Sequence, residues 1–269
     1  MSKPVIDIVT VSDHPGGSRW QAMSPGGSVA GAATLRTITP LGHALLPPPV
    51  RATKPGAPEL SLYVEPQWRR RGIGSRLLAT VREQVTEPRL VADVPEGSPG
   101  EAFCQRHGFR HTRSRRHDLL TYCDVHQAWL GELVDAEHPG YRLTHWTGDL
   151  PDAPSIEQLL RSPSRPGNAV LTAADANGDL AAYAVAVVGA LFQPRARQYG
   201  PTVLPDHRGR RLGRWVNAAL LQRLREVHPY VNEIETAAAA EDDPHLLAIR
   251  EHLGFRFFRR THLYELTLP

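Results

Sequence analysis

Two arginine- and glycine-rich stretches hold the residues most able to do chemistry. The first reads Val64-Glu65-Pro66-Gln67-Trp68-Arg69-Arg70-Arg71-Gly72-Ile73-Gly74-Ser75, and the second Val203-Leu204-Pro205-Asp206-His207-Arg208-Gly209-Arg210-Arg211-Leu212-Gly213. Glycine lets a backbone approach an anion closely, and the free N–H groups of a first helical turn point at it. Arginine adds charge and bidentate contacts. Arg69, Arg70, Arg71 and Arg76 surround the first stretch, and Arg208, Arg210, Arg211 and Arg214 the second. The chemistry implied is the binding of a phosphate-bearing ligand; the plain alternative is an arginine-rich surface turn. The spacing excludes a Walker loop, which needs Gly-Lys-Ser/Thr. It also excludes the dinucleotide fingerprint, because no acidic ribose partner stands at the right distance.

The flanking pattern supplies elements to hold such a loop. Leu60, Leu62 and Val64 alternate with polar or small neighbours, as a strand does. Beyond the glycines, Ile73, Leu77, Leu78, Val81 and Val85 share one helical face. A strand from Arg89 to Val94 and a short helix from Gly100 to His107, closed by Gly108, follow. The same order recurs. Val64, Pro66, Arg69 and Gly74 return as Val203, Pro205, Arg208 and Gly213 at a constant offset of 139 residues, and His107-Gly108-Phe109 has a counterpart in His252-Leu253-Gly254-Phe255. Hairpins are expected from Arg19 to Thr39 around Gly26-Gly27, and from Ala169 to Val188 around Asn177-Gly178. A duplicated domain results, with a boundary near residues 124–139 and a linking helix at Leu130 to Val134.

Composition narrows the class. At 269 residues the chain fits one large domain or two compact ones. Its 24 prolines and 22 glycines argue against long uninterrupted helices. No apolar run reaches the ~18 residues of a membrane span, and the N-terminus lacks a signal pattern. Cys104 and Cys123 make no disulfide framework, and the histidines show no metal spacing, so no metal is expected. A soluble, cytoplasmic protein is the simplest reading. The net charge of +3, concentrated in the first half, is too weak to imply nucleic acid.

The pattern Val64-x-Pro66-x-x-Arg69-x-x-Gly72-Ile73-Gly74, with Ala102-Phe103 and Gly108-Phe109 downstream, resembles the acyl-CoA pyrophosphate loop and following helix of the GNAT superfamily of N-acetyltransferases. The second half, through His207 to Gly213 and Leu247 to Phe255, resembles the tandem type seen in actinobacteria, departing where Arg211 replaces a glycine. The resemblance implies an α/β fold with an α+β mixed sheet, built as two GNAT-like acyl-CoA-binding domains in tandem, residues 1–125 and 126–269. It implies acetyl-CoA as acyl donor. Leu62, Tyr63, Val64, Arg69, Arg70, Arg71, Gly72, Ile73, Gly74 and Ser75 would bind it in the first copy. Val203, Arg208, Gly209, Arg210, Arg211, Leu212 and Gly213 would do so in the second.

Glu59, five residues before Val64, stands where such enzymes carry a base; the alternative is an exposed strand-end carboxylate. Gln198 holds the matching place in the second copy and cannot act as a base. The family's proton-donating tyrosine, four residues before its Gly-Phe glycine, is replaced by Cys104 and Arg250. Cys104 is the candidate catalytic acid, with a buried packing cysteine as the alternative. Tyr63 and Tyr264 are possible substitutes. The helices that usually shape the acceptor site after the first strand are missing or reduced in the first copy, between Val11 and the hairpin, and a single short helix, Pro154 to Arg161, stands in the second. The first copy is therefore expected to carry catalysis. The leading reading is acetyl transfer to a small-molecule amine, such as a natural product, antibiotic or amino-acid derivative, by direct attack in a ternary complex. The alternative is a catalytically silent CoA-binding or scaffolding protein. Monomer and homodimer both stay open.

Overall fold

The computed structural model describes residues 6–11, 17–37, 57–150, 155–189, 194–239 and 244–268. Most of the proline-rich stretch at 46–58 lies outside them, as do residues 12–16. The described residues form two compact units: those within Met1–Ile38, Thr53–Arg113 and Thr261–Pro269 make the first, and those within Ser114–Arg260 the second.

The first unit begins with a four-stranded antiparallel run: β1 (Asp7–Val11), β2 (Gly17–Met23), β3 (Val29–Thr37) and β4 (Pro58–Val64). Helix α1 (Ile73–Gln84) leads to β5 (Arg89–Pro95), parallel to β4, and helix α2 (Pro99–Arg106) follows. Helix α1 buries Ile73, Leu77, Leu78 and Val81, the face its spacing foretold, against Trp20, Ala33, Leu60 and Leu90. Each such side chain stabilises by roughly 1.5–3 kcal/mol at most. Ser98 caps α2 by accepting from Glu101 N, and Gly108, at φ +80°, ends it.

The second unit repeats the plan. Helix α3 (Gln127–Asp135) precedes β7 (Arg142–Gly148), helix α4 (Ile156–Arg161), β8 (Ala169–Ala176), β9 (Asp179–Val188) and β10 (Arg195–Val203). Helix α5 (Leu212–Val227), β11 (Glu233–Ala239) and helix α6 (Pro244–His252) complete it, with β7 to β10 antiparallel and β10 parallel to β11. Between β1 and β2 only five residues, 12–16, intervene, whereas the second unit places α4 in the corresponding position.

The last strands are exchanged. After Gly108-Phe109 the chain enters β6 (Arg110–Thr121), whose Arg115–Thr121 segment pairs antiparallel with β11 of the second unit. After Gly254-Phe255 it enters β12 (Arg256–Thr267), whose Thr261–Thr267 segment pairs antiparallel with β5 of the first. Two contiguous blocks cut at residue 125 therefore do not coincide with the compact units. Each Gly-Phe stays home, Phe109 in the first core and Phe255 in the second, while the apolar residues of the strand that follows pack elsewhere. Leu120 is buried in the second core; Tyr264 and Leu266 are buried in the first.

Residues 1–125 expressed alone would leave β5 without β12 and the core without Tyr264 and Leu266. The expected outcome is no cooperative thermal transition by circular dichroism, with cooperativity restored when a peptide covering 256–269 is added. A sharp melt of the isolated segment would contradict the exchange.

Candidate functional site

In the first unit Glu59 on β4 lies opposite Val91 on β5, and beyond that rung the two strands part. Leu60, Leu62 and Val64 turn toward α1: Leu60 joins the core, Leu62 reaches the Cα of Gly74, and Val64 lies over Gly31. Glu59, Ser61 and Tyr63 alternate onto the opposite face, where Tyr63 is 51% exposed. The arginine–glycine loop sits at the open end of this cleft. A 3-10 turn at Pro66–Trp68 starts it, and Arg69 donates from Nε to Val64 O at 3.0 Å, fixing the loop to the strand end.

Helix α1 starts with no side-chain cap and no acidic residue in its first turn. Its first N–H groups and the positive end of its dipole are thus left for an anion. Gly72 precedes the helix at φ +80°; a Cβ there would meet nothing, so the backbone angle rather than crowding favours glycine. Gly74 is different, because a Cβ there would come within 3.1 Å of Phe103 on α2. His107, at the end of α2, packs at a tilt against Phe103 with ring centroids 4.3 Å apart and meets Ser75 Oγ through Nε2 at 3.0 Å. Burial, then Arg82 and Arg106, hold His107 below its usual imidazole range. Arg70 and Arg71 are exposed, Arg71 lying 5.0 Å from the Trp68 ring. Arg76 instead donates to Ile6 O at 2.6 Å and ties α1 to the start of the sheet.

The second loop has the same shape with its glycine moved. Arg70 and Gly72 are left-handed in the first loop, Gly209 and Arg211 in the second, at φ 62°, 80°, 77° and 63°. The two left-handed positions recur at the repeat offset, with glycine and arginine interchanged. The arginine costs roughly 1–2 kcal/mol of strain in each. Arg211 therefore keeps the loop's path despite replacing a glycine. Val203 and Ile249 flank Gly213 as Leu62 and Phe103 flank Gly74. Arg210 is held by Tyr141 Oη at 2.6 Å, and Tyr141 also meets His207 Nδ1 at 3.0 Å. Arg208 and Arg211 are exposed.

The candidate acids do not reach the clefts in the same way. Cys104 is 3% exposed inside the first core, and burial, with the nearby Glu101 charge, pushes its thiol up to about 11. This enclosure favours the packing alternative for Cys104 over the proton-donor expectation. Tyr264 is also buried, donating to Glu101 Oε1 at 3.0 Å and accepting from Gln105 at 3.3 Å. Tyr63 donates to Glu65 at 3.3 Å. Arg250 bonds Asp118 of β6 at 3.3 Å and Thr236 at 3.1 Å, with Arg116 completing Asp118 at 2.7 Å. Gln198 matches Glu59 by offset, yet a register shift between Tyr199 and Thr202 reverses the phase of β10, and Gln198 faces Asn217 on α5.

Residues 26–111 match the family described as acetyltransferase (GNAT) domain. The whole chain superposes on a tandem GNAT protein from the clavulanic acid biosynthesis pathway, solved without AcCoA, at 25% identity and TM-score 0.70, covering 85% of that protein. Residues 26–111 thus match a GNAT acetyltransferase domain, and the chain as a whole is similar in fold to a tandem GNAT protein. A GCN5-related N-acetyltransferase from Sphaerobacter thermophilus (16% identity, TM-score 0.58, 93% of this chain, 80% of that one) shares the fold. So does one from Kribbella flavida (13%, 0.57, 96% and 88%). No curated protein matches the chain in sequence. GNAT acetyltransferases generally draw their acetyl group from acetyl-CoA and act on small molecules. Among the described residues no helix is long and apolar enough to cross a membrane.

Two groups in this GNAT fold were outside the reach of sequence reasoning. His117 is buried and bonded to Glu235 at 2.8 Å, 118 positions away. Asp118, which neutralises Arg250, sits 132 positions from it, and no local pattern links them. Arg250→Leu leaves Asp118, 1% exposed, with half its compensation. Urea unfolding is expected to show a loss of about 3–5 kcal/mol, largely recovered in Arg250→Met/Asp118→Leu. Hydrogen bonds from His117 and Arg259 hold Glu235 at about 2, below the usual carboxylate range. Because the folded value is the depressed one, this stabilisation is complete above the ordinary carboxylate pKa and disappears as pH falls toward 2. Melting temperature should fall through that window, and Glu235→Gln should flatten the dependence.

Proposed function

We propose that this protein transfers an acetyl group from acetyl-CoA to the amine of a small molecule, by direct attack in a ternary complex, in the cleft of the first unit. The observation that carries the reading is the placement of Glu59 at the closed end of the β4/β5 cleft, with an uncapped, arginine-lined helix start at its open end. The residues fit a pyrophosphate: the first-turn N–H groups of Ile73, Gly74 and Ser75 lie free of any acidic neighbour in the turn, and Arg69, Arg70 and Arg71 surround them. Acetyl-CoA supplies the activated acyl group. The stretch of β4 from Leu62 to Val64, paired with β3 but not with β5, offers backbone groups on its open edge to the pantetheine arm and an N–H to the developing oxyanion.

Glu59 accepts the proton that makes the amine nucleophilic. With Cys104 and Tyr264 enclosed in the core, the departing thiolate takes its proton from solvent. Only five residues separate β1 from β2, so among the described residues the face bearing Glu59, Ser61 and Tyr63 carries no two-helix wall and suits a broad acceptor. The tandem GNAT protein of the clavulanic acid pathway supports a natural-product or amino-acid-like amine, and a cytoplasmic setting is consistent with it. The silent reading, a CoA-binding scaffold, draws on the missing tyrosine in both units.

Free-thiol release over a panel of amines separates the two. Transfer on at least one amine is expected, with Glu59→Gln lowering kcat about 10²-fold or more. Tight CoA binding without turnover on any amine would establish the scaffold. Loss of transfer in Arg208→Ala but not in Arg69→Ala would move the reaction to the second unit.

A further inference from the structure

The start of α1 and the end of α2 meet through two side chains that the transfer reaction leaves unused. Ser75 is the third residue of α1 and is exposed in the turn whose N–H groups are uncapped. His107 closes α2, half-buried, and its Nε2 lies 3.0 Å from Ser75 Oγ. Its ring packs against Phe103, the side chain that a Cβ at Gly74 would meet, and Arg82 of α1 donates to its backbone carbonyl at 3.3 Å. The second copy lacks this pair, having Arg214 and Leu253 at the matching places.

A hydroxyl has one proton to donate. Ser75 can give it to His107 Nε2 or to an anion at the first turn of α1, but not to both. Once an anion takes it, the 3.0 Å contact persists only where Nε2 itself carries a proton and donates to Oγ. A neutral ring meets that need by moving its proton from Nδ1, whereas a charged ring meets it while keeping both. The charged ring is the stronger donor to a chain that ends on an anion, and the charge of the anion favours it. Among the described residues, the charged groups that act on the ring are Arg82 from α1 and Arg106 from α2, both cationic. Glu101, the acid of α2, is engaged by His262 and Tyr264. Burial and the two arginines hold the free ring low, so an arriving negative charge meets a ring able to gain a proton.

We propose that His107 is a positioning residue of the first loop, which holds the Ser75 hydroxyl toward a phosphate-bearing ligand and takes up a proton when that ligand binds. The affinity of the loop is then linked to pH. The free ring is the lower one and the ligand raises it, so binding is strongest below the free value and weakens as pH rises through the bound one. The proposal rests on the reading of the first loop as an acyl-CoA loop and does not depend on whether transfer follows.

Calorimetric titration of dephospho-coenzyme A into the full chain tests it. The pyrophosphate diester of this probe keeps its charge across the histidine range, about pH 5 to 8. The site that Arg69→Ala weakens is the first loop. Its affinity is expected to fall as pH rises, with a limit of roughly tenfold for each unit by which the ligand raises the ring. Titration in two phosphate-free buffers of different ionisation enthalpy should show a proton taken up on binding. His107→Gln, whose amide donates to Ser75 at every pH, should bind without uptake and without pH dependence, at an unchanged melting temperature. Ser75→Ala keeps the ring but breaks the chain, and should lower the uptake; its exposed position makes it the deciding variant where His107→Gln melts lower. Affinity independent of pH in the wild type, or uptake that survives either variant in full, overturns the proposal. Binding linked to pH without turnover on any amine leaves it standing while the transfer reading fails. Absence of any site that Arg69→Ala weakens removes the acyl-CoA reading of the first loop, and this inference with it.

Discussion

A strand at the margin of a sheet exposes a row of unpaired N–H and C=O groups, and a small domain must cover it. β5 and β11 face that requirement, because each is the parallel strand that follows a cleft. Both are covered by a strand from the other half of the sequence, β12 on β5 and β6 on β11. The exchange fixes more than backbone pairing. It brings Tyr264 and His262 to Glu101 in the first unit and Asp118 to Arg250 in the second. Both cores and both helix–strand contacts behind the clefts depend on it.

The clefts themselves arise from a conflict within each unit. β4 and β5 begin parallel and paired, as do β10 and β11, but each pair continues for only a short run before separating. The loop at the open end needs two left-handed residues and a small residue against the neighbouring helix. Both copies meet these demands with different assignments of glycine and arginine. That two sequences converge on one loop path shows which features the geometry requires. A glycine at the helical contact is kept in both, whereas the left-handed positions tolerate arginine at a modest cost.

The copies diverge in what lies behind the loops. The first keeps a carboxylate at the closed end of its cleft and encloses its cysteine in apolar surroundings. The second places a buried amide pair on the face of β10 that meets α5, and an arginine neutralised by aspartate where the family's tyrosine would stand. Duplication therefore leaves one scaffold with two chemical interiors, and proton transfer is supported in only one of them.

Much of this was legible in the sequence because it is local. The helical face of α1, the anion loop, the Gly-Phe helix ends and the duplicated order all depend on residues within a few positions of one another, where periodicity and spacing report directly. The helix expected at Leu130 to Val134 is α3, and the helix expected at Pro154 to Arg161 is α4. Only the tertiary structure decided where β6 and β12 pair, since a strand's pattern specifies which face is buried but not which neighbour buries it. It alone decided that Cys104 lies in the core rather than at the cleft. It alone showed that the shift at Tyr199 to Thr202 turns Gln198 toward Asn217, because a single added residue in a strand reverses the phase of alternation and no count along the chain reveals it.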